Sequence, residues 1–380
     1  MNKASSSAAP WRPAGCASIS LVLQGGGALG AYQAGVYQAL HEAGLEPDWV
    51  AGVSIGAINS ALIAGNPRER RVERLHQFWD IITSRPTSWL PAFDDTTRVA
   101  LGAWSSFMTT ALGQPGFFKP NVPSPWLSAP GSPTATSFYN TSPLAATLAE
   151  LVDFEHLNDG PVRYAAGAVE VLSGNFQYFD RTEQRIGIEH VMASGALPPA
   201  LPMVQIGTDW YWDGGLVSNT PLQHVLEKGG NLDQLIFQVD LFSANGPLPR
   251  TMSDVLGRQK DIQYSSRTRL VTDQVAALQR RNQILKRVLD KLPAERLTEE
   301  EAALKEELNK QAEITVLHLI YQQAAYEGQA KDYEFSANTM RVHWDSGYRD
   351  AKATLAHRDW LTMPEEFGGI HIHDVHRPDE

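Results

Sequence analysis

LVLQGGGALGAYQAGVYQALHEAG, residues 21–44, sets an apolar run against a glycine-rich bend and then a helical pattern. Residues 19–24 read as a buried strand, and Val36, Ala39, Leu40 and Ala43 recur at helical spacing. Gly44 and Pro47 stop that helix. The next stretch repeats the design: WVAGV (49–53) reads as a strand, 55–64 as a helix ended by Gly65-Asn66-Pro67. Strand, bend and helix twice over imply a right-handed crossover and parallel strands. The expected fold class is therefore α/β, three layers around a mostly parallel central sheet.

Working outward, residues 68–82 read as a helix. From 84 to 143 proline, serine and threonine are dense and the regular period is lost. Four of the ten tryptophans fall between 79 and 126, which a disordered linker would not carry. This segment reads as an aromatic cap inserted in the sheet domain. Strands are expected at 162–171, 175–180 (an antiparallel hairpin partner), 235–242 and 314–321. A charged helical arm is expected over 254–312 and a terminal helix over 345–357. The expected organisation is a tail (1–18), an α/β domain (19–242) with a cap-like insertion (84–143), a helical extension with a late strand (243–362) and a second tail (363–380).

Composition narrows the function. The 380 residues are 43% apolar and 20% charged with a formal net charge of −11, so a nucleic-acid partner is not expected. Contact with a lipid surface would have to use apolar side chains. Cys16 is the one cysteine, so no intrachain disulfide or cysteine-based zinc site forms. With no apolar leader and no long apolar run, the reading is a cytoplasmic protein, with peripheral contact to the inner membrane left open.

Two bends carry chemistry. Gly25, Gly27 and Gly30 match G-x-G-x-x-G, which suits either a dinucleotide or a transient oxyanion. Gly52-Val53-Ser54-Ile55-Gly56 is G-x-S-x-G between a strand and a helix, a setting that exposes a serine hydroxyl at a helix N-terminus. Adjacent βα turns of a parallel sheet open on one edge, so the glycines and Ser54 should converge. A dinucleotide fold would want an acid ending its second strand; Asp48 precedes that strand instead. A third stretch, WYWDGGLVSNTPL (210–222), supplies Asp213.

GGGALG, GVSIG and DGG with a downstream N-x-P, in this order, resemble the patatin-like phospholipases, as does ASGALPPALPMV (193–204). The resemblance covers about residues 19–242. It implies a Ser–Asp dyad without histidine: Ser54 as nucleophile, Asp213 as base, and Gly25, Gly26 and Gly27 as oxyanion-hole amides. Burial beside Tyr211 and Trp212 would raise the basicity of Asp213. It further implies hydrolysis of carboxylic esters of lipids through an acyl-enzyme, with no cofactor and no metal. Many members carry Arg or Lys where this chain has Leu29. The alternatives are a transacylase, a hydrolase of soluble or polymeric acyl esters, a nucleotide-binding module using Gly25–Gly30, or a non-catalytic lipid-binding protein. Among eleven histidines, His41 is expected on the outer face of the first helix, and His156, His190 and His224 near loops or helix starts. His343 alone has the late position of a triad histidine, and His371, His373 and His376 alternate as metal ligands could.

Overall fold

In chain order the strands are β1 (Ser18–Leu23), β2 (Trp49–Val53), β3 (Lys119–Pro120), β4 (Tyr139–Asn140), β5 (Arg163–Glu170), β6 (Phe176–Asp180), β7 (Val204–Ile206), β8 (Asp209–Asp213), β9 (Gln234–Asp240), β10 (Ile314–Ile320) and β11 (Ile370–His373). The helices are α1 (Ala31–Glu42), α2 (Ile55–Ala64), α3 (Arg71–Ile82), α4 (Asp95–Leu112), α5 (Ser142–Leu151), α6 (Phe154–Asp159), α7 (Ile188–Ser194), α8 (Leu222–Lys228), α9 (Met252–Tyr264), α10 (Thr268–Leu289), α11 (Glu299–Asn309) and α12 (Ala337–Ala356). This computed structural model describes residues 9–84, 95–265, 268–309, 312–323, 327, 330–363 and 370–374.

Nine strands form one sheet in the order β11-β10-β9-β1-β2-β5-β8-β7, with β6 also on β5. From β11 to β5 every pairing is parallel; β6, β7 and β8 add antiparallel pairings. The strands at the centre have no exposed face: all five residues of β2 and all seven of β9 are buried, Gln234, Gln238 and Asp240 among them, as expected for a sheet covered by helices on both sides. The 3.6-residue pattern of 31–43 became α1, but α1 is buried almost all round. That burial has a cause at the far end of the chain, because α12 lies across it. A Cβ on Gly35 would fall 1.9 Å from the Trp344 carbonyl oxygen, and one on Gly347 2.0 Å from that of Tyr32. The two helices therefore meet backbone to backbone. Polar ends finish the contact: Tyr32 Oη donates to Asp350 at 2.8 Å and Trp344 Nε1 to Gln38 at 2.7 Å.

The break expected at residue 242 thus falls inside a continuous structure. β10 pairs with β9 along its whole length, from Ile314 opposite Gln234 to Ile320 opposite Asp240. The terminal helix begins at Ser336, whose hydroxyl caps Thr339 N–H, and not near 345. The arm over 254–312 is three helices, α9, α10 and α11. In the insert, residues 85–94 lie outside the described residues. Beyond them α4 leads into the short β3–β4 ribbon, which docks by Tyr139 N–H on the Ala200 carbonyl at 3.0 Å.

Gly347→Leu wedges an isobutyl group between α1 and α12. Overpacking of this kind costs about 1–3 kcal/mol. In urea unfolding followed by near-UV circular dichroism, the whole transition should shift to lower denaturant as one step; a shift confined to a minor early phase would show α12 to be an independent appendage.

Candidate active site

The register of β5 decides where the site forms. One edge of β5 is taken by β6, from Ala165 opposite Asp180 to Val169 opposite Phe176. The other edge is shared. β2 occupies it until Val53 stands opposite Gly167, and β8 takes over at the next residue, with Asp213 opposite Ala168. β2 runs parallel to β5 and β8 antiparallel, so their carboxyl ends meet head to head. Ser54 is the first residue beyond one end, and Asp213 is the last of the other.

Ser54 adopts φ 56° and ψ −125°, the sole positive φ among the described non-glycine residues. Such a conformation costs about 1–3 kcal/mol and persists only where surroundings enforce it. Here the Ser54 N–H is held by the Ser194 carbonyl and hydroxyl oxygens, both at 3.1 Å, and the Ser194 hydroxyl donates to Gly167 O at 2.6 Å. The flanking glycines have steric reasons. A Cβ on Gly52 would lie 2.2 Å from the Gly56 carbonyl carbon, and one on Gly56 2.2 Å from Leu23 O. α2 starts at once after Ser54 and aims its first-turn amides and partial positive charge at the hydroxyl.

The glycine loop leads into a 3-10 turn over Gly27–Gly30 ahead of α1. The three expected amides are not equivalent. Gly25 N–H donates to Asn219 O at 3.2 Å and is already engaged. The N–H groups of Gly26 and Gly27 donate to no described group. Four side chains unremarked or barely remarked in the sequence fix this loop. Asn219 Nδ2 donates to Gly25 O at 3.0 Å and to Tyr264 O at 2.9 Å. Gln24 Oε1 accepts from Leu241 N at 2.6 Å and Phe242 N at 2.9 Å. Gln33 Nε2 holds Gln24 O at 2.6 Å, and Asn59 Nδ2 holds Gly30 O at 2.9 Å. Asn219 was visible as the N of N-x-P; the glutamines and Asn59 sit in apolar helical or strand patterns that do not advertise them.

Asp213 is buried at 1% exposure. Its Oδ1 accepts from Gly215 N–H at 2.7 Å, while buried Oδ2 has no aligned hydrogen-bond partner. Burial pushes its carboxyl pKa up to about 7, against the lowering effects of the Ser54 hydroxyl and the Gly215 amide. Ser54 is thus close enough to act on the carboxylate, short of a well-aligned bond.

Ser54, Asp213, Gly25, Gly26 and Gly27 all line one cavity of about 880 Å³, counting its open mouth. One wall is apolar, with Ile58, Phe117, Phe118, Leu197 and Leu201. The other comes from beyond residue 242: Lys260, Tyr264, Asp332, Tyr333 and Phe335. That second wall was missed, because its residues sit in helical and loop stretches with no motif. Leu29 is fully buried in the core.

A family profile described as patatin-like phospholipase matches residues 21–226, over half of the chain, and one described as patatin phospholipase matches 262–366. The chain belongs to the patatin-like phospholipase family. Lysophospholipase nte1 of Aspergillus terreus is 57% identical over 47 residues, 12% of this chain and 3% of that protein. Neuropathy target esterase sws of Drosophila melanogaster is 40% identical over 80 residues, 21% of this chain and 5% of that protein. The chain thus matches only a few per cent of the length of these curated relatives. VipD from Legionella pneumophila superposes with a TM-score of 0.35 at 16% identity, over 87% of this chain and 67% of that one.

The remaining candidates of this patatin-like chain lie elsewhere. His41 is buried, not outward, and its Nδ1 is 2.6 Å from Glu46, which also binds Arg68 and Arg71. His224 pairs with Asp180 at 3.0 Å and His190 packs on Phe179. His343 is fully buried with Nε2 2.6 Å from Glu327, and faces neither Ser54 nor Asp213. His373 stacks on Trp360, His376 lies outside the described residues, and among the described residues no metal-binding cluster forms. Asp48 binds Arg12 and the Ile19 N–H at the opposite end of the sheet.

Three outcomes test this geometry. A carboxyl held up to about 7 is ionised only above that pH, so kcat/KM for a soluble ester should rise with pH to a plateau with an apparent pKa near 7. The stability effect has the opposite sign: a pKa raised on folding favours the fold below the ordinary aspartate value of about 3.9 and loses that contribution as pH rises through 7. Asp213→Asn should abolish the rate dependence along with about 10³-fold or more of the rate. Gly27 has φ 55° and a Cβ there would fall 2.3 Å from Asp332 O; Gly27→Ala should lose activity by about 10²-fold or more while keeping the far-UV spectrum.

Proposed function

We propose that this chain hydrolyses carboxylic esters of lipids through an acyl-enzyme on Ser54, with Asp213 as the base. The observation that carries this reading is the head-to-head meeting of β2 and β8. It sets a strained, helix-capping serine against a buried carboxyl whose pKa stands near neutrality. The substrate carbonyl carbon takes the Ser54 oxygen as Asp213 accepts its proton. The oxyanion meets the amides of Gly26 and Gly27, joined by the Ile55 N–H at the head of α2. Collapse expels the alcohol, which leaves with the proton from Asp213. A water, deprotonated by the same carboxylate, then releases the acid. No cofactor enters these steps. The family and the esterase and lysophospholipase names of its relatives support a lipid ester as substrate.

The substrate would be met at a lipid surface. Between Arg98 and Glu150 the only charged residue is Lys119. This sparsely charged insert exposes Trp104, Phe107, Val122, Trp126 and Leu127, and its Phe118 and Tyr139 line the cavity. Exposed tryptophan and leucine without charge suit the interface of a membrane. No described helix is long and apolar enough to cross one.

A fluorophosphonate probe should label the chain at Ser54, mapped by mass spectrometry, and Ser54→Ala should erase both the label and about 10⁴-fold or more of ester hydrolysis. Labelling elsewhere, or undiminished turnover in Ser54→Ala, would overturn the assignment. Trp126→Asp with Leu127→Asp should cut hydrolysis of vesicle phospholipid by about 10-fold or more and leave a soluble nitrophenyl ester within about twofold.

A further inference from the structure

The wall that closes the cavity from beyond residue 242 is built by a reciprocal pairing. Residues 260–261 in α9 and 331–332 in the turn before α12 both read Lys-Asp. Lys260 Nζ lies 2.7 Å from Asp332 Oδ1, and Lys331 Nζ lies 2.7 Å from Asp261 Oδ1. The two lysines are not alike. Lys331 has a side chain only 4% exposed; it also donates to Gln323 at 2.8 Å and sits 5.6 Å over the Phe242 ring. It is a structural tie. Lys260 is 24% exposed, faces the cavity, and sits 4.9 Å over the Tyr333 ring. Among the described lining residues it carries the one positive charge. The turn it contacts rests on the glycine loop, because the Asp332 carbonyl oxygen blocks the space a Gly27 side chain would need.

The desolvation cost of an ammonium lining a largely apolar cavity is offset here by Asp332, and a neutral acyl ester adds no charged partner to it. A phosphate does, through charge-assisted hydrogen bonds. In a phosphoglyceride ester the phosphate stands only a few bonds from the scissile ester, on the alcohol side. The lining holds both kinds of group: Ile58, Phe117, Phe118, Leu197, Leu201 and Phe335 suit a chain, whereas Lys260, Tyr264, Asp332 and Tyr333 offer polar groups to a head.

Building on the hydrolase reading above, we infer that Lys260 is a specificity-determining residue that binds the phosphate on the alcohol half of the ester and makes this site selective for phospholipids over uncharged acylglycerols. Binding exchanges part of the Asp332 contact for the substrate phosphate. Asp332 then holds the ammonium in place while the cavity is empty, and Lys331–Asp261 keeps the wall closed during the exchange.

Two measurements test this. Binding is followed in Ser54→Ala by titration calorimetry with a lysophospholipid kept below its micelle concentration, and with a monoacylglycerol of the same chain. The lysophospholipid should bind about 10-fold more tightly or better. Adding Lys260→Gln should erase the difference, and Lys260→Arg should restore most of it. In the active chain, Lys260→Gln should lower kcat/KM for the lysophospholipid by about 10-fold more than for nitrophenyl butyrate, mostly through KM. Lys352→Gln, on α12, should leave that ratio unchanged. An equal fall for both esters, carried by kcat, would show that Lys260 serves the oxyanion or the fold, and no change would show a merely structural ion pair; either overturns the proposal. A chain that binds lysophospholipid through Lys260 yet hydrolyses nothing would sink the hydrolase reading and leave this one standing.

Discussion

One edge of β5 carries two strands in succession, and the site depends on that division. Were β2 one pair longer, the chain would pass Gly167 as sheet and Ser54 could not turn. Were β8 one pair longer, Asp213 would be spent inside the ladder. The abutting carboxyl ends leave a gap that neither strand fills, and the first groups at that gap are a hydroxyl and a carboxyl. Backbone register therefore does what side-chain packing alone could not. It fixes the relation of two residues 159 positions apart in the chain to the spacing of one ladder step.

The glycine loop is held differently, by polar side chains rather than by a ladder. Asn219 binds it from the segment after Asp213, Asn59 from α2, Gln24 and Gln33 from the loop's own flanks. Tyr264 O, on α9, accepts from both Asn219 and Gln24. The loop is thereby tied to the serine helix, the aspartate turn and the C-terminal region at once. Buried networks of this kind cost much when half satisfied and specify one geometry when complete.

Local structure was legible in the sequence, and long-range assembly was not. β2 and α2 have the bounds their apolar pattern and the Gly-Asn-Pro stop imply, and β6 is the hairpin partner of β5. The two bends announced themselves because glycine and a strand-to-helix switch have few other uses. β7 and β8 escaped notice: DWYWD is short, begins and ends in aspartate, and makes sense only against β5. The place of the C-terminal region was hidden for the same reason. Nothing in ITVLHLIY says that its neighbour is β9, and nothing in α12 says that Gly347 faces Gly35. His41 was misplaced because helical periodicity sees one buried face, whereas Glu46, held by Arg68 and Arg71, covers His41 on another.

The carboxyl of Asp213 brings these levels together. An ordinary aspartate has a pKa of about 3.9 and is a poor base near neutrality, and a histidine at about 6.5 is the usual remedy. Here no described histidine lines the cavity, and desolvation lifts the carboxyl to about 7 against the lowering effects of Ser54 and Gly215. That desolvation is a product of the fold. It needs β5 behind Asp213, the glycine turn ahead of it, and the wall from α9 and the turn before α12 to keep bulk water out. A chain lacking its C-terminal region would keep every motif residue and lose that wall. Its carboxyl would drop toward the ordinary value, and its base strength with it. On this argument the region beyond residue 242 acts on Asp213 without a motif of its own, by helping to set the dielectric in which that one carboxyl titrates.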